Sequence, residues 1–227
     1  MTPPLTGPLA RVNVRADAWD LIWSFVHRTL VINLGLAIGG VPLFFALATV
    51  AQPWRYPVFF AVLAVPLGPS VAAAFAYLAG EDPSLPVLFR AYRVLAVRAV
   101  LLWAAVVGLI GILVADIRLL YDAMPGAAVV PLLAVLVVLT LATGLALLVL
   151  SATKPELPLR AALRLAVYAA VRTWALSVLS LVVLVAAVVI VSQVPPAGLA
   201  TVPGCALWVV FTNTKLQLSR VLPEESQ

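Results

Sequence analysis

The chain has 227 residues, of which 64% are hydrophobic and only 10% are charged, and its mean hydropathy is +1.16. A soluble domain cannot bury so much apolar surface, so the composition excludes a soluble globular protein and indicates one embedded in a membrane. The formal net charge of +5 predicts attraction to the anionic lipid of a bilayer rather than nucleic-acid binding.

Long stretches without any charged residue predict the membrane spans. They are 29–53, 56–80, 99–115, 123–153 and 173–214. A bilayer core about 30 Å thick needs about 20 helical residues per crossing, so each of the first four stretches predicts one span. The fifth is long enough for two, and Pro195 and Pro196 divide it because proline lacks the backbone donor that a helix needs. The sequence therefore predicts an all-α polytopic membrane protein with six transmembrane helices.

The positive charge is concentrated at one end of these spans. Of the 14 Lys and Arg residues, all except Arg55 and Arg118 lie before an odd-numbered span or after span six. Because Lys and Arg near span ends are retained in the cytoplasm, both termini are predicted to be cytoplasmic. The segment around Arg11 and Arg15 lacks the apolar core of a signal peptide, so no cleavable signal is expected.

The cytoplasmic connections share a pattern. Pro83-Ser84-Leu85-Pro86 before span three recurs as Pro155-Glu156-Leu157-Pro158 before span five, and a basic segment follows each copy. In the second segment, Arg160, Arg164 and Arg172 share one helical face, and apolar residues cover the other. This pattern predicts amphipathic cytoplasmic helices before spans 3 and 5. A fainter copy predicts a third before span 1.

Each of these three segments ends in an arginine: Arg28, Arg98 or Arg172. At the mouth of a span, the arginine stem can lie among acyl chains while the guanidinium reaches lipid phosphate. The spans thus form three two-helix hairpins within a single membrane domain, 1–227, with predicted repeats 11–80, 81–152 and 153–222. Because every hairpin enters and leaves on the same side, the repeats would surround an axis along the membrane normal. The alternative is chance periodicity of Pro and Arg.

Chemically reactive residues are scarce. The chain has one His, one Cys and nine acidic residues, with no acidic residue near the middle of a span and no metal-ligand or nucleophile spacing. We therefore expect no enzymatic activity and no catalytic, cofactor or metal site. The absence of an ionisable residue at mid-span also counts against a proton- or sodium-coupled pump. Cys205 in span six is expected to be a packed residue.

Span two contains the most irregular backbone, at Pro66, Gly68, Pro69 and Ser70. Prolines at mid-membrane free carbonyl groups that need other partners, so this segment is either a packing kink or a kink that lines a cavity. Polar residues within the spans are candidates for interhelical hydrogen bonds; these are Asn33, Asn213 and Thr214.

The arginines of the cytoplasmic segments are the candidate interaction surface. They are Arg28, Arg90, Arg93, Arg98, Arg160, Arg164 and Arg172. Their repeated spacing predicts that they dock a partner rather than forming a diffuse charge.

A family resemblance follows from the segment between spans two and three. The run from Pro66 through Gly80-Glu81-Asp82 to Phe89-Arg90-Ala91-Tyr92-Arg93 resembles the YesL-like family of poorly characterised bacterial integral membrane proteins. The likeness covers residues 66–93 well and the six-span hydropathy loosely, and this chain departs from it by carrying a separate span one. The resemblance implies a bacterial inner-membrane location and an accessory role beside ABC-type carbohydrate uptake systems, and it supplies no catalytic residue.

Two functions are favoured over a third, a membrane enzyme that acts on lipid headgroups through His27 and the acidic residues near the interface. The first is a non-enzymatic accessory protein that binds a partner, such as an ABC transporter permease or a second copy of itself. The second is a small-molecule or lipid carrier or channel with a central cavity between the hairpins. Ser70 and Thr140 facing one solvent-filled path would favour the carrier, whereas a dry and packed centre would favour the accessory protein.

Overall fold

A computed structural model describes residues 14–80, 84–121 and 126–221, and within these ranges the regular elements are all helical. The α-helices are α1 (Val14–Thr49), α2 (Pro57–Ala64), α3 (Leu67–Ala79), α4 (Leu85–Tyr121), α5 (Val130–Thr153), α6 (Leu159–Arg172), α7 (Trp174–Gln193) and α8 (Pro195–Ser219). Short 3-10 turns lie at Pro53–Arg55 and Gly126–Val129. Pro83 of the first repeated motif lies outside the described residues.

Six segments of the described chain are long and apolar enough to cross a membrane. They are α1, α2 together with α3, α4, α5, α7 and α8. The predicted all-α architecture with six transmembrane helices is confirmed. The division of the fifth apolar stretch is confirmed as well, because α7 ends at Gln193 and α8 begins at Pro195.

The spans pair as the predicted hairpins: α1 packs on α2 and α3, α4 packs on α5, and α7 packs on α8. Each even-numbered span also touches the following odd-numbered one, because α3 contacts α4, α5 contacts α7 and α8 contacts α1. The even-numbered spans α3, α5 and α8 contact one another as well. The three hairpins therefore close into a ring. This ring has the arrangement expected of three parallel repeats, and the repeats themselves stay a prediction.

The centre of the ring is a packed apolar core. Phe75 of α3 stacks on Phe211 of α8 with ring centroids 6.1 Å apart, and both Phe75 and Leu148 are completely buried. Ala72, Ala73 and Ala74 are also buried, and such small residues let transmembrane helices approach closely. Close packing of large and small side chains thus fills the space where the three even-numbered spans meet.

The two ends of the bundle differ in chemistry. One end, called the arginine face, carries Arg28, Arg90, Arg93, Arg98, Arg160, Arg164 and Arg172. The opposite end carries the exposed aromatic side chains of Trp54, Tyr56 and Tyr121. Aromatic residues of this kind are enriched where a protein crosses the boundary between lipid and water.

The three amphipathic segments are not all separate helices. Only α6 is separate; the segments before spans one and three are the N-terminal parts of α1 and α4. The difference lies at the junction with the span. Thr173 caps the end of α6, and its hydroxyl donates to the Ala169 carbonyl at 2.7 Å. At the corresponding places, Ala99 in α4 and Thr29 in α1 lie within continuous helices, and the Thr29 hydroxyl makes the same kind of bond, to the Phe25 carbonyl at 2.9 Å.

Helix α6 is docked on the bundle through an alanine face. Ala162, Ala166 and Ala169 are completely buried and pack in one cluster with Leu150 of α5 and Leu218 of α8. The short methyl groups let α6 approach its neighbours closely. Consequently α6 rests on protein with one face and leaves its arginines exposed on another.

Cys205 differs from the expectation. Its side chain is exposed on the surface of α8, so the expectation that it packs inside the bundle was wrong. In a membrane this surface faces lipid, where a small apolar thiol is as compatible as it is in a core.

Candidate functional site

The break in span two is sealed by a side chain from span three. Pro66 has no backbone N–H, and the Gly68 N–H donates to the Val65 carbonyl at 3.1 Å instead of to Ala64. The Ala64 carbonyl, left without that helical bond, accepts the indole N–H of Trp103 at 3.2 Å. This is the outside partner that a broken transmembrane helix requires.

The remaining residues of the break serve close packing. A Cβ atom at Gly68 would overlap the Cβ of Trp103, so only glycine lets the two helices meet there. Pro69 and Ser70 are buried, and the Ser70 hydroxyl donates to the Pro66 carbonyl at 3.3 Å. The geometry of Pro66, Gly68, Pro69 and Ser70 is thus that of a packing kink, although Ser70 also lines a groove.

A second side chain joins spans one and six. The Asn33 amide of α1 donates to the Ala200 carbonyl and accepts from the Gly204 N–H, each at 2.6 Å. In a regular helix these two backbone groups are hydrogen-bonded to each other, so Asn33 binds both the donor and the acceptor of one helical position of α8. Asn33 is only 4% exposed. Its predicted interhelical hydrogen bond is confirmed.

Polar residues also link α7 to α8 near the arginine face. Asn213 donates to the Ser180 hydroxyl at 3.1 Å, which confirms the predicted interhelical role of Asn213. Gln217 donates to the Ser177 hydroxyl at the same distance, a contact that no sequence pattern indicated. The prediction for Thr214 was wrong, because its hydroxyl bonds the Val210 carbonyl of its own helix at 2.8 Å.

Arg98 and Arg172, which end the second and third amphipathic segments, have internal partners. Arg98 donates to the carbonyls of Pro155 and Leu157, at 2.7 and 3.0 Å, and so fixes the connection between α5 and α6 to α4. Arg172 donates to the Tyr168 hydroxyl at 2.6 Å and lies 5.7 Å from the centre of its ring. Arg28 is half-buried. The guanidinium of Arg98 therefore binds backbone rather than reaching for lipid phosphate.

The other four arginines differ from these. Arg90 and Arg93 on α4, together with Arg160 and Arg164 on α6, are exposed. The described part of the chain shows neither a hydrogen bond nor an ion pair to any of their guanidinium groups. These four guanidinium groups therefore remain available to another molecule.

Two grooves open on the sides of the bundle. The α1 groove lies between α1, α3 and the start of α4, has a volume of about 280 Å³ and is lined by Gly35, Ile38, Ser70, Leu88, Phe89 and Tyr92 among others. The α6 groove lies between α4, α5 and α6, has a volume of about 410 Å³ and is lined by Leu102, Leu139, Thr140, Thr143, Leu159 and Leu163 among others. Ser70 and Thr140 therefore lie in separate grooves rather than along one path.

Other polar groups of the described chain offer little chemistry. The buried hydroxyls of Tyr77, Thr143 and Ser151 have no hydrogen-bond partner within the described residues. In the same ranges no three His, Cys, Asp or Glu side chains are grouped so that they could hold a metal ion.

Comparisons of this chain with protein-family models, with curated proteins and with solved structures find no match. The six-span membrane fold therefore stands on the structure alone, and the resemblance to the YesL-like family stays an expectation from residues 66–93.

Proposed function

We propose that this protein is a non-enzymatic integral protein of a bacterial cell membrane that docks a partner on its arginine face. The partner implied by the YesL-like resemblance is the permease of an ABC-type carbohydrate importer. The observation that carries the proposal is the set of exposed arginines without an internal partner in the described chain, above all Arg90 and Arg93. Exposed guanidinium groups form bidentate contacts with carboxylates, so they suit an acidic surface on another protein.

The packing of the hairpins supports docking over the alternative, a carrier with a central cavity. A carrier of that kind needs a polar path between the hairpins. Phe75, Leu148 and Phe211 instead fill the meeting point of α3, α5 and α8. Ser70 and Thr140 each face a separate lateral groove, whereas a shared path would have favoured transport.

The proposal requires the arginine face to be cytoplasmic, as the charge distribution predicts. After Cys205→Ser removes the native thiol, Ser84→Cys should react only with a reagent that reaches the cytoplasm. Gln52→Cys, between spans one and two, should react with an impermeant reagent added outside intact cells. The opposite pattern would overturn the orientation and with it the docking proposal.

Partner docking is tested by purifying the protein in mild detergent from the cells in which it is naturally made. Mass spectrometry should identify a permease in a fixed ratio to this chain. The double substitution Arg90→Gln with Arg93→Gln should lower that ratio severalfold, and Arg118→Gln, which removes a charge from the other end of the bundle, should leave it unchanged. Purification without a stoichiometric partner, or equal recovery with all three proteins, would contradict the proposal.

A further inference from the structure

The α6 groove has the length of one bilayer leaflet. On α5 its lining extends from Leu136 to Leu147, about 16 Å at 1.5 Å of rise per residue. The hydrocarbon core of a bilayer is about 30 Å thick, so each leaflet contributes about half of that. Leu159 and Leu163 of α6 form the wall of the groove nearest the arginine face.

The lining of this groove favours a hydrocarbon occupant. Apart from the hydroxyls of Thr140 and Thr143, the side chains that line it are apolar. Water gains too few hydrogen bonds in such a space to occupy it stably. An empty groove would forfeit the dispersion contacts of all its walls. Because lipid surrounds these helices, an acyl chain is the group that can fill the groove at no cost in desolvation.

The end of the groove on the arginine face carries positive charge. On the surface of α6, Arg160 neighbours the groove residue Leu163 and Arg164 neighbours the groove residue Val167, because each pair is three residues apart. Both arginines are exposed and lack a protein partner in the described chain. Arginine suits phosphate through its planar donors, and basic recesses between transmembrane helices recognise anionic headgroups.

We propose that the α6 groove binds one anionic glycerophospholipid of the arginine-face leaflet. One acyl chain lies in the groove against Leu102, Leu139 and Leu163, and the phosphate contacts Arg160 and Arg164. The proposal goes beyond partner docking, which rests above all on Arg90 and Arg93, and its test uses the purified chain alone, so failure of one proposal does not decide the other.

The headgroup part of the proposal is tested by native mass spectrometry of the detergent-solubilised full chain. The protein is titrated with phosphatidylglycerol or with phosphatidylcholine of identical acyl chains. The unsubstituted protein should bind one phosphatidylglycerol with about tenfold preference. Each arginine near an anionic headgroup contributes about fivefold in affinity, and exposure to solvent lowers the product of the two factors. Arg160→Gln with Arg164→Gln should abolish the preference. Arg118→Gln is the control for loss of charge and should retain it.

The acyl-chain part is tested by filling the groove. Leu163→Trp should reduce the binding of both lipids severalfold, whereas Val185→Trp, at an exposed position of α7, should leave both unchanged. Equal affinity for the two lipids, or full preference in the doubly substituted protein, would overturn the proposal. Displacement of the lipid by millimolar inorganic phosphate would also overturn the proposal. The same holds if the protein forms a homodimer that Leu163→Trp dissociates without any change in lipid binding.

Discussion

Two junctions between neighbouring hairpins are built alike, and the third is built differently. Where span three meets span two, Trp103 binds the Ala64 carbonyl beside Pro66. Where span one meets span six, Asn33 binds the backbone of α8 beside Pro203. In both cases a proline disturbs an even-numbered span, and a polar side chain of the next odd-numbered span bonds the backbone next to it.

The junction between span four and span five lacks such a side-chain bond in the described residues. Pro131 lies in the first turn of α5, where a missing N–H costs nothing, so α5 is unbroken. The described residues show no side-chain hydrogen bond between α5 and α7, and these helices pack less extensively than the other two pairs. At these three junctions, a polar side chain bonds the backbone of the even-numbered span where a proline lies well inside that span, and the described residues show no such bond where the proline lies in the first turn.

Asn33→Leu should have the largest effect, because it removes both bonds to α8 and places an apolar group against two backbone dipoles. We expect a loss of about 2–3 kcal/mol in stability. Thermal unfolding in detergent, followed by size-exclusion chromatography of heated samples, measures it. Asn213→Leu removes a single bond to Ser180 and should cost about half as much. Equal losses of stability in the two variants would contradict the view that the two bonds of Asn33 stabilise the bundle more than the single bond of Asn213.

Gly68→Ala should follow, at about 1–2 kcal/mol, because the new methyl group overlaps Trp103 and forces α3 away from α4. The same thermal assay applies. Gly108→Ala is the matched control, since a methyl group there meets nothing within 4 Å. It should be neutral or stabilising by up to about 1 kcal/mol, as alanine favours helix. Destabilisation of both variants by the same amount would contradict the packing argument.

Trp103→Phe should cost about 1 kcal/mol, because the ring remains while the Ala64 carbonyl loses its donor. The carbonyl stretch of Ala64, labelled with carbon-13 and measured by infrared spectroscopy, should shift to higher frequency on loss of the bond. Trp208→Phe provides the control, because Trp208 contacts Phe25 through its ring. An unshifted Ala64 band in Trp103→Phe would show that the indole does not seal the break.

Arg98→Gln should have the smallest effect on global stability and a local effect at the third junction. Arg98 holds the carbonyls of Pro155 and Leu157 in the connection that leads to hairpin three. Loss of about 1 kcal/mol of local stability should speed Glu-C cleavage after Glu156 about fivefold. Arg90→Gln, without a partner in the described chain, should leave the cleavage rate unchanged. An unaltered cleavage rate in Arg98→Gln would show that Arg98 does not stabilise the connection between α5 and α6.

Features that depend on local sequence were predictable. The lengths of the uncharged apolar stretches predicted the spans, and the consecutive prolines predicted the division before α8. The spacing of arginines and apolar residues predicted α6. The sequence also located the break at Pro66, because missing donors are a property of proline itself. The orphaned Ala64 carbonyl required a partner, and nothing in span two identified it as Trp103.

The remaining features depend on which helices become neighbours. The Arg98 contacts, the Gln217 bond and the two grooves depend on how the helices pack against one another, which hydropathy does not encode. The N-terminal part of α4 and α6 begin with a related motif, yet α4 continues through Ala99 whereas α6 ends at Arg172. The shared motif therefore did not show which of the two helices would continue into its span. The sequence likewise placed Cys205 in a span without showing which way that helix turns.

The contact of Asn33 with α8 has a consequence for synthesis of the protein. Asn33 and Ala200 are 167 residues apart in the chain. At about 5–20 residues per second, span one exists for roughly 8–35 s before its partner emerges from the ribosome. During this interval the Asn33 amide lies in the bilayer or its insertion machinery with no native acceptor. Span one is made first, yet the hydrogen bonds of Asn33 to α8 can form only after the last span is made. Until then, the stability of span one in the membrane depends on other groups that hydrogen-bond the Asn33 amide, such as those of an insertase.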